Sequence, residues 1–343
     1  MHLPLPLRAA LLALLLTPTT QAATLAGAGS TFAEPLYKAW GGQYAKQASE
    51  VAYDGVGSGE GLARIAAGKV DFGASDEPLQ RAELEQKGLR QFPVAMGAIV
   101  PVVNLPGLPA GELKLGAETL AKIYLGKITR WRDQEILINN DPIASRIPDL
   151  PIRPLYRADG SGSTFVLSYF LAARSADWKK GPGVGKELKG VAGSAVKGTG
   201  GMVEALQKSP GGIAYVDYGR ALKDKLNMVQ LPNRVGIFIK VSPESVLAAA
   251  KYDAENLIYA ADPDFYFVLS NNDTYGGWPL ATATFAVLPR NGKAADKVID
   301  FLLWGYRNGD ATARELGYVP LSETMKIGVR KAWSRQYGYK ISQ

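Results

Sequence analysis

Three short turns rich in glycine and hydroxyl residues are the parts of this 343-residue chain best suited to hold a ligand. Each is predicted to follow a strand and to precede a helix. Such a turn presents free backbone N–H groups and hydroxyls at the positive end of a helix, which forms an anion site without any lysine. Three turns in one chain predict a single anion held between two lobes. The first, second and third turns are Gly27-Ala28-Gly29-Ser30-Thr31-Phe32, Gly55-Val56-Gly57-Ser58-Gly59-Glu60-Gly61 and Asp159-Gly160-Ser161-Gly162-Ser163-Thr164.

Helix capping is the competing interpretation of the same hydroxyl residues. Thr31 and Glu34 have the spacing of a capping box, and Ser58 and Ser161 could each be a simple N-cap. The glycines on both sides of these two serines favour ligand binding, because a cap does not need a bare backbone whereas an approaching ligand does. None of the turns has the glycine spacing of a dinucleotide site or the GK[ST] ending of a nucleotide P-loop.

Two charged residues accompany the turns at predicted strand ends. Arg157 directly precedes the third turn, and its planar guanidinium could hold an oxyanion through two hydrogen bonds. A structural ion pair with Asp159 is the alternative, and both roles are compatible. Asp76 ends a predicted strand, where the alternative is an N-cap of the next helix. Because open α/β sheets bind ligands at the carboxyl ends of their strands, both residues are predicted to line a cleft.

The composition excludes several catalytic classes. The chain has no cysteine, and its one histidine is His2. Residues 1–22 are predicted to be a secretory signal peptide, since Arg8 precedes an apolar run at 9–16 and small residues surround a cleavage point after Ala22. A buried N-terminal helix is disfavoured because the segment lacks a polar face. Removal of the signal would leave neither His nor Cys, which excludes the usual serine triad, histidine general bases and histidine or cysteine metal sites.

The charge balance gives only weak information about partners. Lys and Arg number 39 against 32 Asp and Glu, for a formal net charge of +7. The basic residues are scattered, with Lys179-Lys180 the nearest approach to a cluster, and no nucleic-acid motif occurs. No stretch reaches the roughly 20 apolar residues of a transmembrane helix. These features predict a soluble exported protein that does not bind nucleic acid.

Short extended runs alternate with helical patterns, which predicts an α/β fold. The runs at 98–104 and 282–288 are candidate crossings between two lobes, and 179–201 is predicted to be irregular. The other strands are predicted at 25–28, 51–54, 70–74, 152–156 and 212–216. The helices are predicted at 35–46, 59–67, 79–86, 117–125, 163–173, 293–306 and 323–334, with one more opening at Ser242-Pro243.

With these residues in view, the chain resembles the periplasmic phosphate-binding proteins of bacterial high-affinity phosphate ABC importers. The resemblance rests on the first and third turns with Arg157, on Tyr53-Asp54-Gly55-Val56-Gly57-Ser58 and on Val70-Asp71-Phe72-Gly73-Ala74-Ser75-Asp76. It holds in order and spacing over nearly all of the chain after the signal. It implies a two-lobed type II periplasmic binding protein fold, in which each lobe is a mixed sheet flanked by helices and hinge strands join the lobes.

The resemblance also implies a set of phosphate ligands. Carried over position by position, they are Thr31, the Phe32 N–H, Ser58, Asp76, Arg157, Ser161, the Gly162 N–H and Ser163, with Asp159 in support. Two positions depart from the common family pattern. Ser163-Thr164 exchanges the usual Thr-Ser order but keeps a hydroxyl at the ligand position, and Gly59 with Glu60 replaces a second serine after Ser58.

The resemblance predicts one lobe from residues 23–103 and 284–343 and the other from 104–283. It implies a monomeric periplasmic protein that captures inorganic phosphate and delivers it to an inner-membrane ABC permease, with no catalytic residue, cofactor or metal. An exported phosphatase is the main alternative, although the absence of His and Cys from the mature chain argues against it. The same fold could instead bind sulfate, molybdate or a phosphonate. Asp76 argues against the first two, because a carboxylate requires a proton from its ligand.

Overall fold

The computed structural model describes residues 24–250 and 264–340, so the predicted signal peptide lies outside the described residues. Within them the chain alternates strands with helices, as an α/β chain should. The strands are β1 (Leu25–Gly29), β2 (Val51–Gly55), β3 (Phe72–Ser75), β4 (Leu89–Asn104), β5 (Arg153–Arg157), β6 (Ser194–Val196), β7 (Gly212–Asp217), β8 (Asn227–Met228), β9 (Leu231–Pro232), β10 (Phe238–Ile239), β11 (Ala281–Pro289) and β12 (Val319–Pro320).

Helices cover the sheet and supply the termini that face the candidate site. None among the described residues is both long and apolar enough to cross a membrane. They are α1 (Glu34–Tyr44), α2 (Ser58–Ala66), α3 (Arg81–Lys87), α4 (Ala117–Tyr124), α5 (Gln134–Leu137), α6 (Gly162–Arg174), α7 (Ala176–Lys180), α8 (Gly198–Gln207), α9 (Tyr218–Lys223), α10 (243–250), α11 (Ala295–Asn308), α12 (Asp310–Glu315) and α13 (Glu323–Tyr337), with a 3₁₀ helix at Asp141–Arg146.

A mixed sheet connects two lobes, with strand order β2-β1-β3-β11-β4-β7-β5-β6. In the first lobe β1 is parallel to β2 and β3, and β11 is antiparallel to β3. In the second lobe β5 is parallel to β6 and β7. Because parallel strands end at one edge, β1, β2 and β3 bring the first turn, the second turn and Asp76 to the same edge of the first lobe.

The long strand β4 passes from one lobe to the other. Residues 89–98 pair with β11, and residues 99–104 pair with β7. The predicted crossing at 98–104 is therefore only the second part of a strand that is 16 residues long. The remainder is hard to recognise in the sequence because Pro93 and Gly97 interrupt a run that is otherwise typical of a buried strand.

Aromatic packing fixes helix α1 to the first-lobe sheet. The buried side chains of α1 recur at helical spacing and include Tyr37 and Trp40. The Tyr37 ring stacks on Tyr53 from β2, with ring centroids 4.8 Å apart, and contacts Phe72 from β3. This packing stabilises the strand ends that carry the first and second turns.

Two sequence-based expectations need correction. The segment 179–201 is not wholly irregular, because it contains the short strand β6 and the start of α8. Its glycines concealed the helix, since glycine disfavours helix interiors but is tolerated where tertiary contacts hold the first turn. The helix predicted at 79–86 begins at Arg81 instead. The two-lobed α/β arrangement itself is as predicted.

Candidate functional site

The first turn connects β1 to α1, and Ser30 organises it. Its hydroxyl accepts hydrogen bonds from the backbone N–H groups of Phe32 and Ala33, at 3.0 and 3.2 Å. The capping-box interpretation of Thr31 is wrong, because the chain makes a further turn before α1 begins and the N-cap residue is Ala33, which has no side-chain capping hydrogen bond. The Thr31 hydroxyl points elsewhere and lies 2.9 Å from that of Thr199 in the second lobe.

The second turn leads from β2 into α2. Gly57 is the N-cap residue, with a φ of 95° that few other residues adopt. Ser58 is the first helical residue rather than the cap, and it is fully buried. Its hydroxyl lies 3.4 Å from the backbone nitrogen of Asp76. The N–H of Gly59 donates to the carbonyl of Gly160 at 2.9 Å, so backbone from the second turn contacts backbone from the third.

Asp76 lies directly after β3 and is buried. It is not an N-cap, because the N-cap residue of α3 is Gln80. The Ser30 hydroxyl donates to its Oδ2 at 2.6 Å, whereas Oδ1 has no hydrogen-bond partner within the described residues. Burial raises the pKa of Asp76 from 3.8 to about 7, against the opposing influence of Ser30, Thr284 and Arg157. The free oxygen of this carboxyl is therefore available to a ligand that donates a proton.

Arg157 ends β5 and is buried, with 3% of its surface exposed. Its guanidinium forms a two-point ion pair with Asp159, with 2.8 Å from Nε to Oδ1 and a second bond from Nη2 to Oδ2. The ion-pair interpretation is thus correct. Although burial raises the pKa of Asp159, the hydrogen bonds and charge of Arg157 and the N–H of Gly198 lower it overall. The remaining Nη1 donates to the Thr31 hydroxyl at 3.2 Å, across the two lobes.

The third turn leads into α6. Ser161 is its N-cap residue, with its hydroxyl 3.4 Å from the backbone nitrogen of Thr164. The Thr164 hydroxyl is engaged with Tyr215 at 2.7 Å, which leaves the neighbouring Ser163 as the hydroxyl available at this turn. Gly162 faces the first lobe so closely that a Cβ there would lie 2.6 Å from Oδ2 of Asp76. Glycine is therefore required where the third turn meets the other two.

The structure thus brings the sequence-predicted residues together at one place between the lobes. The place where the lobes meet is surrounded by a cation, a carboxyl group with a raised pKa, several hydroxyls and three helix N-termini. Such a set can desolvate and hold an oxyanion, and Asp76 can accept a proton from it. Among the described residues, no group of three or more His, Cys, Asp or Glu side chains could hold a metal ion.

Two contributors were not identified from the sequence. Ser30 lies inside the first turn, but the capping-box spacing directed attention to Thr31 instead. Thr199 lies in the segment expected to be irregular, and no local pattern connects it to Thr31, which is 168 positions earlier. Only the packing of the two lobes brings Thr199 to the site.

The raised pKa of Asp76 predicts how the stability of the ligand-free protein depends on pH. The folded pKa lies above the unfolded value, so the folded state retains a proton that the unfolded state releases between about pH 4 and pH 7. We therefore expect the free energy of unfolding to fall with rising pH in this window. In the Asp76→Asn variant this fall should be smaller by on the order of a few kcal/mol. Urea unfolding at pH 5 and pH 8 measures the difference. Parallel pH dependences for parent and variant would contradict the assignment.

Comparisons with known proteins identify the family of this chain. A family model described as the PBP superfamily domain matches residues 17–304. The phosphate-binding protein PstS of Pasteurella multocida is 38% identical over 336 residues, which cover 96% of each chain. PstS of Xylella fastidiosa strain Temecula1 is 37% identical over 322 residues, covering 93% of this chain and 87% of that protein.

A solved structure has the same fold. A high affinity periplasmic phosphate-binding protein called PfluDING, solved with bound phosphate, matches with a TM-score of 0.71 at 22% identity. The match covers 90% of this chain and 93% of that one.

Proposed function

Since this chain belongs to the PBP superfamily, and within it to the phosphate-binding proteins PstS, we propose that it captures inorganic phosphate between its lobes and delivers it to an ABC permease. The fold is the two-lobed periplasmic binding protein fold that the sequence predicted. In the proposed complex the phosphate contacts Thr31, Ser58 and Asp76 from the first lobe and Arg157, Ser161, Gly162 and Ser163 from the second. The Phe32 N–H donates to the Ser30 hydroxyl in the structure, and in the proposed complex it exchanges that partner for the phosphate.

The observation that carries the proposal is that a buried cation, Arg157, and a buried carboxyl group, Asp76, both lie at the junction of three helix N-termini. Arg157 and the backbone N–H groups favour an anion, whereas Asp76 disfavours one unless it brings a proton. Phosphate at neutral pH is an anion that keeps at least one proton. Oδ1 of Asp76, without another partner in the described residues, is the acceptor for that proton.

The lobes of the proposed clamp are residues 23–103 with 284–343, and residues 104–283. The change of partner along β4, from β11 to β7, supports a change of lobe within this strand, but near residue 98 rather than after residue 103. The hydrogen bond from Gly59 to Gly160 and the one from Arg157 to Thr31 are contacts that opening would break. Binding is therefore expected to hold the lobes together.

The protein acts by binding rather than by catalysis in this proposal. Hydrolysis of a phosphate ester usually needs metal ions or an activated nucleophile, and Thr31, Ser58, Ser161 and Ser163 have no adjacent histidine to activate them. We place the mature protein in the periplasm as a monomer, after removal of residues 1–22, where a freely diffusing carrier can reach the permease. Family membership supports an ABC permease as the partner.

Titration calorimetry on protein refolded from denaturant tests the function, because unfolding removes any phosphate that copurifies. We expect tight binding of phosphate and arsenate, and weak or no binding of sulfate. Small-angle X-ray scattering from the same samples should show a more compact particle with phosphate than without it. No heat on addition of phosphate to correctly refolded protein would overturn the proposal. Release of product from a chromogenic phosphate ester with divalent metals would favour the phosphatase instead.

A further inference from the structure

Thr199 completes a ring of polar groups that passes through both lobes. Its hydroxyl lies 2.9 Å from that of Thr31, and Thr31 accepts a hydrogen bond from Nη1 of Arg157 at 3.2 Å. Arg157 is paired with Asp159, which accepts the N–H of Gly198 at 2.9 Å. Gly198 and Thr199 are consecutive residues at the start of α8, so one peptide unit closes the ring.

The direction of the hydrogen bond between Thr31 and Thr199 decides whether Thr31 has a proton for an anion. A threonine oxygen has two lone pairs and one proton. Nη1 of Arg157 can only donate, so it uses one lone pair of Thr31. If Thr31 gave its proton to Thr199, it would have none for an anion. If Thr199 donates instead, both lone pairs of Thr31 are used and its proton is directed out of the ring, toward the site.

We propose that Thr199 is a positioning residue, which directs the proton of the Thr31 hydroxyl at the bound anion and links α8 of the second lobe to the first lobe. This inference rests on the proposed function, since it assigns Thr31 as a phosphate donor. Thr199 itself does not contact the phosphate. It acts through Thr31, as Asp159 acts through Arg157.

The surroundings of Thr199 agree with this role. Its side chain is buried, with 7% exposed, and it lines a cleft of about 870 Å³. Thr31, Asp159 and Gly198 line the same cleft. The ring therefore borders this cleft, and its contacts from Thr31 to Thr199 and Arg157 have to open when the lobes separate.

Substitution of Thr199 by Val tests the proposal, because Val keeps the shape and removes the donor. We expect the affinity for phosphate to fall about tenfold, equivalent to about 1.4 kcal/mol, as for loss of one hydrogen bond in a dry site. Thr199→Ser should restore most of the affinity. Thr119→Val is the matched control, since Thr119 is also buried in the first turn of a second-lobe helix, with 6% exposed, and makes no hydrogen bond to the ring.

A double-mutant cycle separates a positioning role from a structural one. In a Thr31→Val background the proton that Thr199 positions is gone, so Thr199→Val should cause little further loss. Equal losses in both backgrounds would show that Thr199 acts on α8 or on folding, and would overturn the inference. An unchanged affinity in the single variant would overturn it as well. Failure of the parent to bind phosphate would instead overturn the proposed function, and the inference with it.

Discussion

Replacing Arg157 by Ala is expected to weaken phosphate binding roughly 30-fold to several thousand-fold, which corresponds to a loss of about 2–5 kcal/mol. The variant removes a buried guanidinium and leaves Asp159 without its principal partner. It also removes the hydrogen bond from Nη1 to Thr31, which joins the lobes. The N-termini of α1, α2 and α6 still favour an anion, so we expect weakened rather than abolished binding.

Titration calorimetry of refolded variants measures this loss. Arg130→Ala is the matched control, because Arg130 also makes two hydrogen bonds to an aspartate, Asp149, but on the exposed surface. Exposed pairs contribute little, so this variant should bind phosphate as the parent does. If Arg157→Ala also binds phosphate like the parent, the guanidinium serves only the ion pair with Asp159, and the assignment of Arg157 as a phosphate ligand is wrong.

Replacing Asp76 by Asn should admit sulfate, which we expect the parent to reject. In the parent at pH 8 the carboxylate faces any fully deprotonated oxyanion in a dry site, and such a juxtaposition costs several kcal/mol. Asn removes the charge and offers an N–H donor in nearly the same volume. We expect the affinity for sulfate to rise roughly 10-fold to 1000-fold, while phosphate loses an acceptor for its proton.

The pH dependence distinguishes this mechanism from a change in shape. Because the pKa of Asp76 is raised to about 7, the carboxyl group takes up its own proton below that pH and becomes a donor. Sulfate binding by the parent should therefore strengthen as the pH falls from 8 to 5, and Asp76→Asn should show no such dependence. Competition calorimetry at the two pH values checks both expectations. A phosphate-to-sulfate ratio that is the same in parent and variant would mean that discrimination arises elsewhere.

Local chemistry made most of this site predictable from the sequence. Each turn combines a strand end, bare glycines and a helix start within a few residues, so the anion-binding elements could be recognised separately. Their convergence was inferred from the repetition of the motif and from the family resemblance. Asp76 was predicted to line a cleft because it ends a strand, and the structure places it, buried, directly after β3 at the same sheet edge as the first and second turns.

The remaining features depend on packing that no local pattern records. The capping box at Thr31 obeys a valid rule, yet α1 begins only at Glu34, after a turn in which Ser30 accepts the N–H groups of Phe32 and Ala33 and donates to Asp76. Thr199 lies in a glycine-rich stretch whose helical propensity is poor, and contacts with Asp159 and Thr31 hold the first turn of α8 in place. Similarly, β4 is extended through Pro93 because it is paired with β11 on one side.

The position of β11 determines when the site can first exist during synthesis of the chain. This strand is made late, yet it lies between β3 and β4 in the middle of the sheet. Thr282 on β11 contacts the backbone carbonyl of Asp76, 206 positions earlier. Until residue 289 has been synthesised, β3 lacks its partner strand on one side and Asp76 lacks its contact with Thr282. Such distant pairing slows folding, so a nascent chain emerges without a finished cleft and stays incompletely folded until β11 has been made.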